Sequence, residues 1–166
     1  MTLKQYPLLF ATRELVAGNG FIAGVRACGR VLMVQEEESE WWIYGVEPGG
    51  IAERGETPKE AHLQFVTGMR NALHDFAGLA GSFDDFKAEV TRFTAQVDPI
   101  EDARWQTAVQ TLRAGAEVSD PFFASLERWA AEKKCEVEIV LLNLPAQASV
   151  ELNPRERIAI PELAAA

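Results

Sequence analysis

The chain has 166 residues, 48% hydrophobic and 25% charged, with a formal net charge of −9. That composition describes one globular unit, large enough to bury a core without metal or disulfide staples. Both halves of the sequence are acidic, so direct nucleic-acid binding, which needs clustered Lys and Arg, is not expected. No stretch approaches the ~20 apolar residues of a membrane-spanning helix. MTLKQYPLLFATREL lacks the pattern of a signal peptide. Cys28 and Cys135 are far apart, sit in apolar surroundings and show no metal spacing. They read as buried free thiols, which fits a reducing, cytoplasmic compartment.

The first element the pattern predicts is FIAGVRACGRVLMVQEE, residues 21–37, rich in β-formers and interrupted by Gly24 and Gly29. It is one bulged strand or two short ones. EEESE (36–40) reads as a solvated turn, lacking the glycine and ligand periodicity of a calcium loop. WWIYGV (41–46) is a second strand. It puts Trp41 and Ile43 on one face and Trp42, Tyr44 and Val46 on the other, so both faces expect cover. Pro48-Gly49-Gly50 makes a turn, and IAER (51–54) a short third strand.

A helix follows. Thr57 is its N-cap, Pro58 its first residue and Glu60 the partner of a capping box. Ala61, Phe65, Met69, Ala72, Leu73 and Phe76 recur at helical spacing. Ser82 caps a second helix, with Asp84 and Asp85 at its positive end and a stripe of Phe83, Phe86, Val90, Phe93 and Val97. Asp98-Pro99 opens a third helix containing Trp105, Ala108, Val109 and Leu112, ended by Gly115. Asp120-Pro121 opens a fourth, with Phe122, Leu126, Trp129 and Ala130 inside and Lys133-Lys134 near its end. EVEIVLLNL (136–144) is a buried strand expected to join the N-terminal sheet, since so apolar a segment cannot leave its backbone unpaired. In the tail, VEL and RIAI read as short edge strands, with the last residues frayed.

The fold class expected is therefore α+β: a small antiparallel-type sheet with a packed helix, an added helical segment and a late C-terminal strand. The divisions are residues 1–81, 82–134 and 135–166, packed as parts of one domain.

Chemistry is sparse. His62 and His74 lie on one helix about 120° apart, so they share no face and form no helical metal site. Asp84-Asp85 is accounted for by helix N-terminal electrostatics. Gly49-Gly50 does not lead directly into a helix N-terminus and is a turn, not a phosphate cradle. No nucleotide-loop, nucleophile-elbow or zinc-protease motif occurs. No catalytic residue, metal site or cofactor is expected. The four tryptophans fit apolar stripes, and only the Trp42/Tyr44 face, if open, offers a contact surface.

The order of strand, turn, aromatic strand, Pro-Gly turn, short strand and Gly-acid-Thr-capped helix resembles the HicB-like antitoxin domain. The resemblance spans about residues 31–78 and rests on Trp42, Tyr44, Pro48, Gly49, Gly55, Glu56, Thr57, Glu60 and Ala61. It implies a partial RNase-H-like fold without nuclease activity, of a kind that binds small partner proteins, commonly a basic RNA-cleaving toxin. Members often carry a DNA-binding module at the C-terminus. Here three helices fill residues 82–134 instead. RERIAIPEL looks like the opening strand of a ribbon-helix-helix without the two helices that follow, so operator binding is not expected.

Three functions are compatible with this sequence. The leading one is a non-catalytic interaction module that binds or neutralises a small basic protein through Trp42, Tyr44, Glu47, Glu53 and Glu56. The second is a self-associating structural or orphan domain of unknown role, a homodimer paired through β-rich edges such as IVLLNL or RIAI. The third is a hydrolase using His62 or His74 as base.

Overall fold

The computed structural model describes residues 4–118, 120–127, 136–142 and 162–165. Its centre is an antiparallel hairpin of β1 (Lys4–Gly18) and β2 (Phe21–Glu37), closed by a turn at Asn19-Gly20. β3 (Glu40–Glu47) and β4 (Gly49–Gly55) extend the sheet beyond β2, and β6 (Glu162–Ala165) extends it beyond β1. β5 (Glu138–Leu141) pairs with the Ala23–Arg26 stretch of β2, on the side where β3 pairs further along. With helices α1 (Pro58–Leu79), α2 (Phe83–Thr94), α3 (Pro99–Arg113) and α4 (Pro121–Ala124), the fold is α+β, as expected.

The sheet has two covered faces. Tyr6, Leu8, Phe10 and Val16 of β1 join Ala23, Val25, Val31 and Met33 of β2 and Trp41 and Ile43 of β3 under α1 and α2. Those helices contribute Phe65, Met69, Leu73, Phe86 and Val90. Leu32, Val34 and Val46 face the other way and pack against Trp105, Ala108 and Val109 of α3. The double cover expected of β3 is present, and the strand lies one in from the edge of the sheet. Between α2 and α3 the chain is tied to the β3–β4 turn. Gly49 N–H donates to Gln96 O at 2.7 Å and Asp98 N–H to Val46 O at 3.0 Å. Beyond α3 the chain returns to the first face, where Phe123 stacks on Tyr6 at 3.6 Å.

Local chemistry explains the helix starts. Thr57 Oγ1 accepts Glu60 N–H at 3.1 Å, while Glu60 Oε2 reaches Glu56 N–H at 3.0 Å, one residue before the cap. Ser82, Asp98 and Asp120 cap the later helices by the same device. The segment 21–37 is one strand, with register shifts at Arg30/Val31 and Gln35/Glu37. Close approach fixes Gly29. A Cβ there would stand 1.7 Å from the Glu47 carbonyl oxygen.

Several expectations are corrected. β1 was not foreseen at all: no element was assigned before residue 21. The C-terminal residues 162–165 are not frayed but form β6, with Ala164 buried against β1. The Pro48-Gly49-Gly50 turn is tighter than expected, since Gly49 and Gly50 already belong to β4. α2 ends at Thr94, so Val97 falls in the connector and is exposed. α4 has 4 residues, and it buries Phe123 rather than Phe122. Trp129, Ala130, Lys133, Lys134 and the VEL and RIAI segments lie outside the described residues. EVEIVLLNL does join the sheet, as β5, though only over Glu138–Leu141 and with Val140 and Leu141 exposed rather than buried.

The cysteine reading is also corrected: Cys28 is disulfide-bonded, so the argument from free thiols to a reducing compartment does not carry. Its partner is not among the described residues. Cys28 Sγ lies 3.6 Å from the Glu136 carbonyl, two residues before β5. A disulfide sulfur has no proton to donate, so this is a packing contact. The bond sits where the strand beside β2 changes from β3 to β5.

Gly29→Ala is expected to destabilise the fold by about 2–4 kcal/mol, because the added carbon meets backbone rather than a flexible side chain. Urea unfolding checks this, and a change within about 0.5 kcal/mol would mean that β2 can shift freely against the β3–β4 turn.

Candidate functional site

The candidate site grows out of β3. Trp42 and Tyr44 are two residues apart on one strand, so both rings stand on the α3 side of the sheet. Their centroids are 5.8 Å apart and their planes 11° from parallel. Both remain half-buried, since α3 covers Val46 and its neighbours but leaves the far end of β3 open.

Polar partners fix the two rings. Tyr44 Oη donates to Glu36 Oε1 at 2.7 Å, and Trp42 Nε1 donates to Glu40 Oε1 at 2.9 Å. Partial burial raises the Tyr44 pKa well above the usual tyrosine value, and the hydrogen bond to Glu36 and its charge add to that rise. The phenol therefore stays protonated and keeps donating. The Arg104 guanidinium lies 5.3 Å from the Tyr44 ring centre and pairs with Glu101 at 3.0 Å. Arg54 on β4 stands 3.6 Å from Glu40.

The aromatic pair thus abuts the β2–β3 turn, where Glu36, Glu37 and Glu38 are exposed and Glu40 is half-buried. Glu37 and Glu40 are direct cross-strand partners, an unfavourable like-charge opposition. The turn expected from EEESE is present, and its carboxylates belong beside the aromatic face, which composition alone did not reveal.

The five residues singled out from sequence do not form one patch. Trp42, Tyr44 and Glu47 share the α3 side, but Glu47 is engaged, accepting from Arg30 Nη2 at 3.0 Å and Nε at 3.2 Å. Arg30 also binds Asp102 and stacks 5.2 Å over Trp105. Glu53 lies on the opposite face, where its carboxylate fills the space beside Gly68 of α1. Glu56 sits in the turn before α1, where its backbone N–H donates to Glu60 Oε2 at 3.0 Å. Arg30 and Arg104, which fasten α3 to the sheet, were missed; isolated arginines carry no periodic signal.

The histidines separate as expected: His74 is exposed and His62 buried, with 8% of its surface accessible. His62 Nε2 has no hydrogen-bond partner, and burial lowers its pKa to about 4. Among the described residues, no group of three or more His, Cys, Asp or Glu side chains could hold a metal ion. An open groove of about 690 Å³ lies at the β1–β2 turn, between Asn19, Phe21, Phe83 and Leu142, and among the described residues no ionisable side chain lines it. Among the described residues, no helix is long and apolar enough to cross a membrane. No family model, curated protein or solved structure matches the chain.

Burial of neutral His62 makes stability depend on pH. The unfolded chain binds a proton near the ordinary value of 6.5, whereas the folded chain binds it only near about 4. Stability is thus full above the first value and is lost as pH falls toward the second. Between about pH 7.5 and about pH 5 the loss from this group is about 2 kcal/mol. His62→Leu should remove that part of the slope in urea unfolding across this interval. An unchanged slope would show that the imidazole gains its proton without leaving the fold.

Proposed function

We propose that the chain is a non-catalytic protein-interaction module that binds a small basic protein through the Trp42–Tyr44 face and the carboxylates of residues 36–40. One observation carries the reading: two parallel, half-open aromatic rings held by hydrogen bonds to Glu36 and Glu40 at the edge of an exposed acidic turn. Lys and Arg side chains recognise such a surface twice, stacking on the ring faces and pairing with the carboxylates. The ring anchors are rigid, so little side-chain entropy is lost on contact. The net charge of −9 steers a basic partner toward it and repels acidic competitors.

The resemblance of residues 31–78 to the HicB-like antitoxin domain supports the same reading, and the order β2, β3, β4, α1 agrees with it. Neutralisation of a basic toxin is the role that resemblance suggests. The contact proposed here differs from the sequence expectation in its acidic members. Glu36, Glu37, Glu38 and Glu40 take the place of Glu47, which Arg30 holds, of Glu53, which lies beside Gly68 of α1, and of Glu56, which sits in the turn before α1.

The test is affinity purification of the tagged full chain from extracts of its source cell, with and without nuclease. A small basic protein should be recovered in stoichiometric amount and resist nuclease. Glu37→Lys with Glu38→Lys should weaken its binding at least about tenfold, with a steep salt dependence. Glu53→Lys should stay within about twofold of the parent. Equal affinity of the parent and the Glu37/Glu38 variant would overturn the assigned surface, and recovery of the bait alone would overturn the module reading.

A further inference from the structure

Among the described residues, α3 covers its side of the sheet at one end. Toward the β1–β2 turn no described helix packs on it, and the register lays out a second surface there. Arg13 of β1 stands opposite Arg26 of β2, which stands opposite Glu138 of β5. Next along the strands, Leu15 stands opposite Gly24, and Gly24 opposite Val140. The Arg26–Glu138 contact at 3.9 Å and the approach of Leu142 to Gly24 confirm that these side chains share one face. Leu15 is 57% exposed, Val140 53% and Leu142 38%. Exposed aliphatic side chains contiguous on a sheet face mark a contact surface more often than isolated ones do.

We infer that a second copy of this chain covers this face, the two sheets packing face to face about a two-fold axis parallel to β2. The argument is the order of charges across the row. From β1 to β5 it reads positive, positive, negative. A two-fold axis along the strands keeps each row in place and reverses its lateral order, because β1 and β5 flank β2 at equal distances of about 5 Å. Arg13 of one copy then meets Glu138 of the other, twice. In the next row Leu15 meets Val140 of the other copy, also twice, and the two Gly24 positions meet at the centre, where no side chain keeps the sheets apart. At the centre of the row Arg26 faces Arg26 of the other copy, an opposition that each arginine's own Glu138 beside it and the two Arg13–Glu138 contacts must offset.

Net charge points to the same face. Two chains of −9 repel each other, so a self-contact must use a region where the surface is not acidic. This row carries two arginines against one glutamate. β5, which supplies Glu138 and Val140, is held beside β2 next to the Cys28 disulfide, so half of the surface depends on that tether. The Trp42–Tyr44 platform lies elsewhere on the sheet, and the inference does not rest on the proposed basic partner.

Sedimentation equilibrium of the full chain with its disulfide intact tests this. The expected result is a monomer–dimer equilibrium in the range of about 1–100 µM. Arg13→Glu and Glu138→Arg should each weaken the dimer at least about tenfold, because every substitution acts twice across a two-fold interface. The double variant Arg13→Glu/Glu138→Arg should return to within about threefold of the parent. Both positions are exposed, and circular dichroism verifies that each variant folds. A chain that stays monomeric up to about 100 µM overturns the inference, and so does a dimer indifferent to both single changes or one the double variant fails to restore.

Discussion

The antiparallel ladder between β1 and β2 is the interaction on which the structure depends. It runs unbroken from Lys4↔Gln35 to Gly18↔Phe21, and the other strands attach to it or to a strand it carries. A hairpin this long cannot be stable as a bare ribbon, because both of its faces are apolar along much of their length. α1 and α2 cover one face, with Phe123 of α4 completing it at the Tyr6 end. α3 covers the other only in part, since its 15 residues span about 22 Å. Among the described residues, no helix packs on the remainder of that face.

Attachment of α3 explains where charge is spent and where it stays free. Trp105 is buried and its Nε1–H faces the Leu8 carbonyl at 3.4 Å, while Arg30 gathers Glu47 and Asp102 around the same ring. A half-buried guanidinium with two carboxylates and an aromatic face is well satisfied, and carboxylates so engaged are poor candidates for an external partner. Arg104 and Glu101 form a second such couple over Tyr44. The acidic turn at 36–40 lies beyond both arginines, with Arg54 near Glu40. Its negative potential is less compensated than that around Glu47, which is why the proposed contact moves there.

Much of the middle of the chain was legible because its signals are local. Thr57-Pro58, Asp98-Pro99 and Asp120-Pro121 each announce a helix through a cap and a proline, and the alternation in WWIYGV separates Trp41 from Trp42 correctly. β1 was illegible for equally local reasons. Pro7 and the Arg13-Glu14 pair interrupt its apolar pattern. Pro7 is accommodated just before the stretch that β6 pairs, and Glu14 is satisfied by Arg70 of α1 at 2.9 Å. Neither compensation can be read from the strand itself. The Cys28 disulfide was missed because two cysteines carry no spacing signal, and bonding needs the proximity that only the folded sheet supplies. At the candidate site, the rings were legible from alternation, whereas the relevant carboxylates were not. Hairpin closure brings Glu36 to Tyr44 across 8 positions of sequence, and helical or strand periodicity has no term for that.

The same geometry separates two kinds of surface on one sheet. The end near the β2–β3 turn is aromatic and acidic, with its rings held by carboxylates. The β1–β2 end beyond α3 is aliphatic, with Arg13 and Arg26 side by side. Opposed arginines weaken a ladder unless something answers their charge, and Glu138 answers only Arg26, at 3.9 Å. Arg13 stands across from Arg26 beside exposed leucine and valine, and among the described residues no carboxylate pairs with it. An opposing carboxylate would relieve the repulsion, and a lysine-rich edge would discourage contact. In the proposed dimer that carboxylate is Glu138 of the second copy.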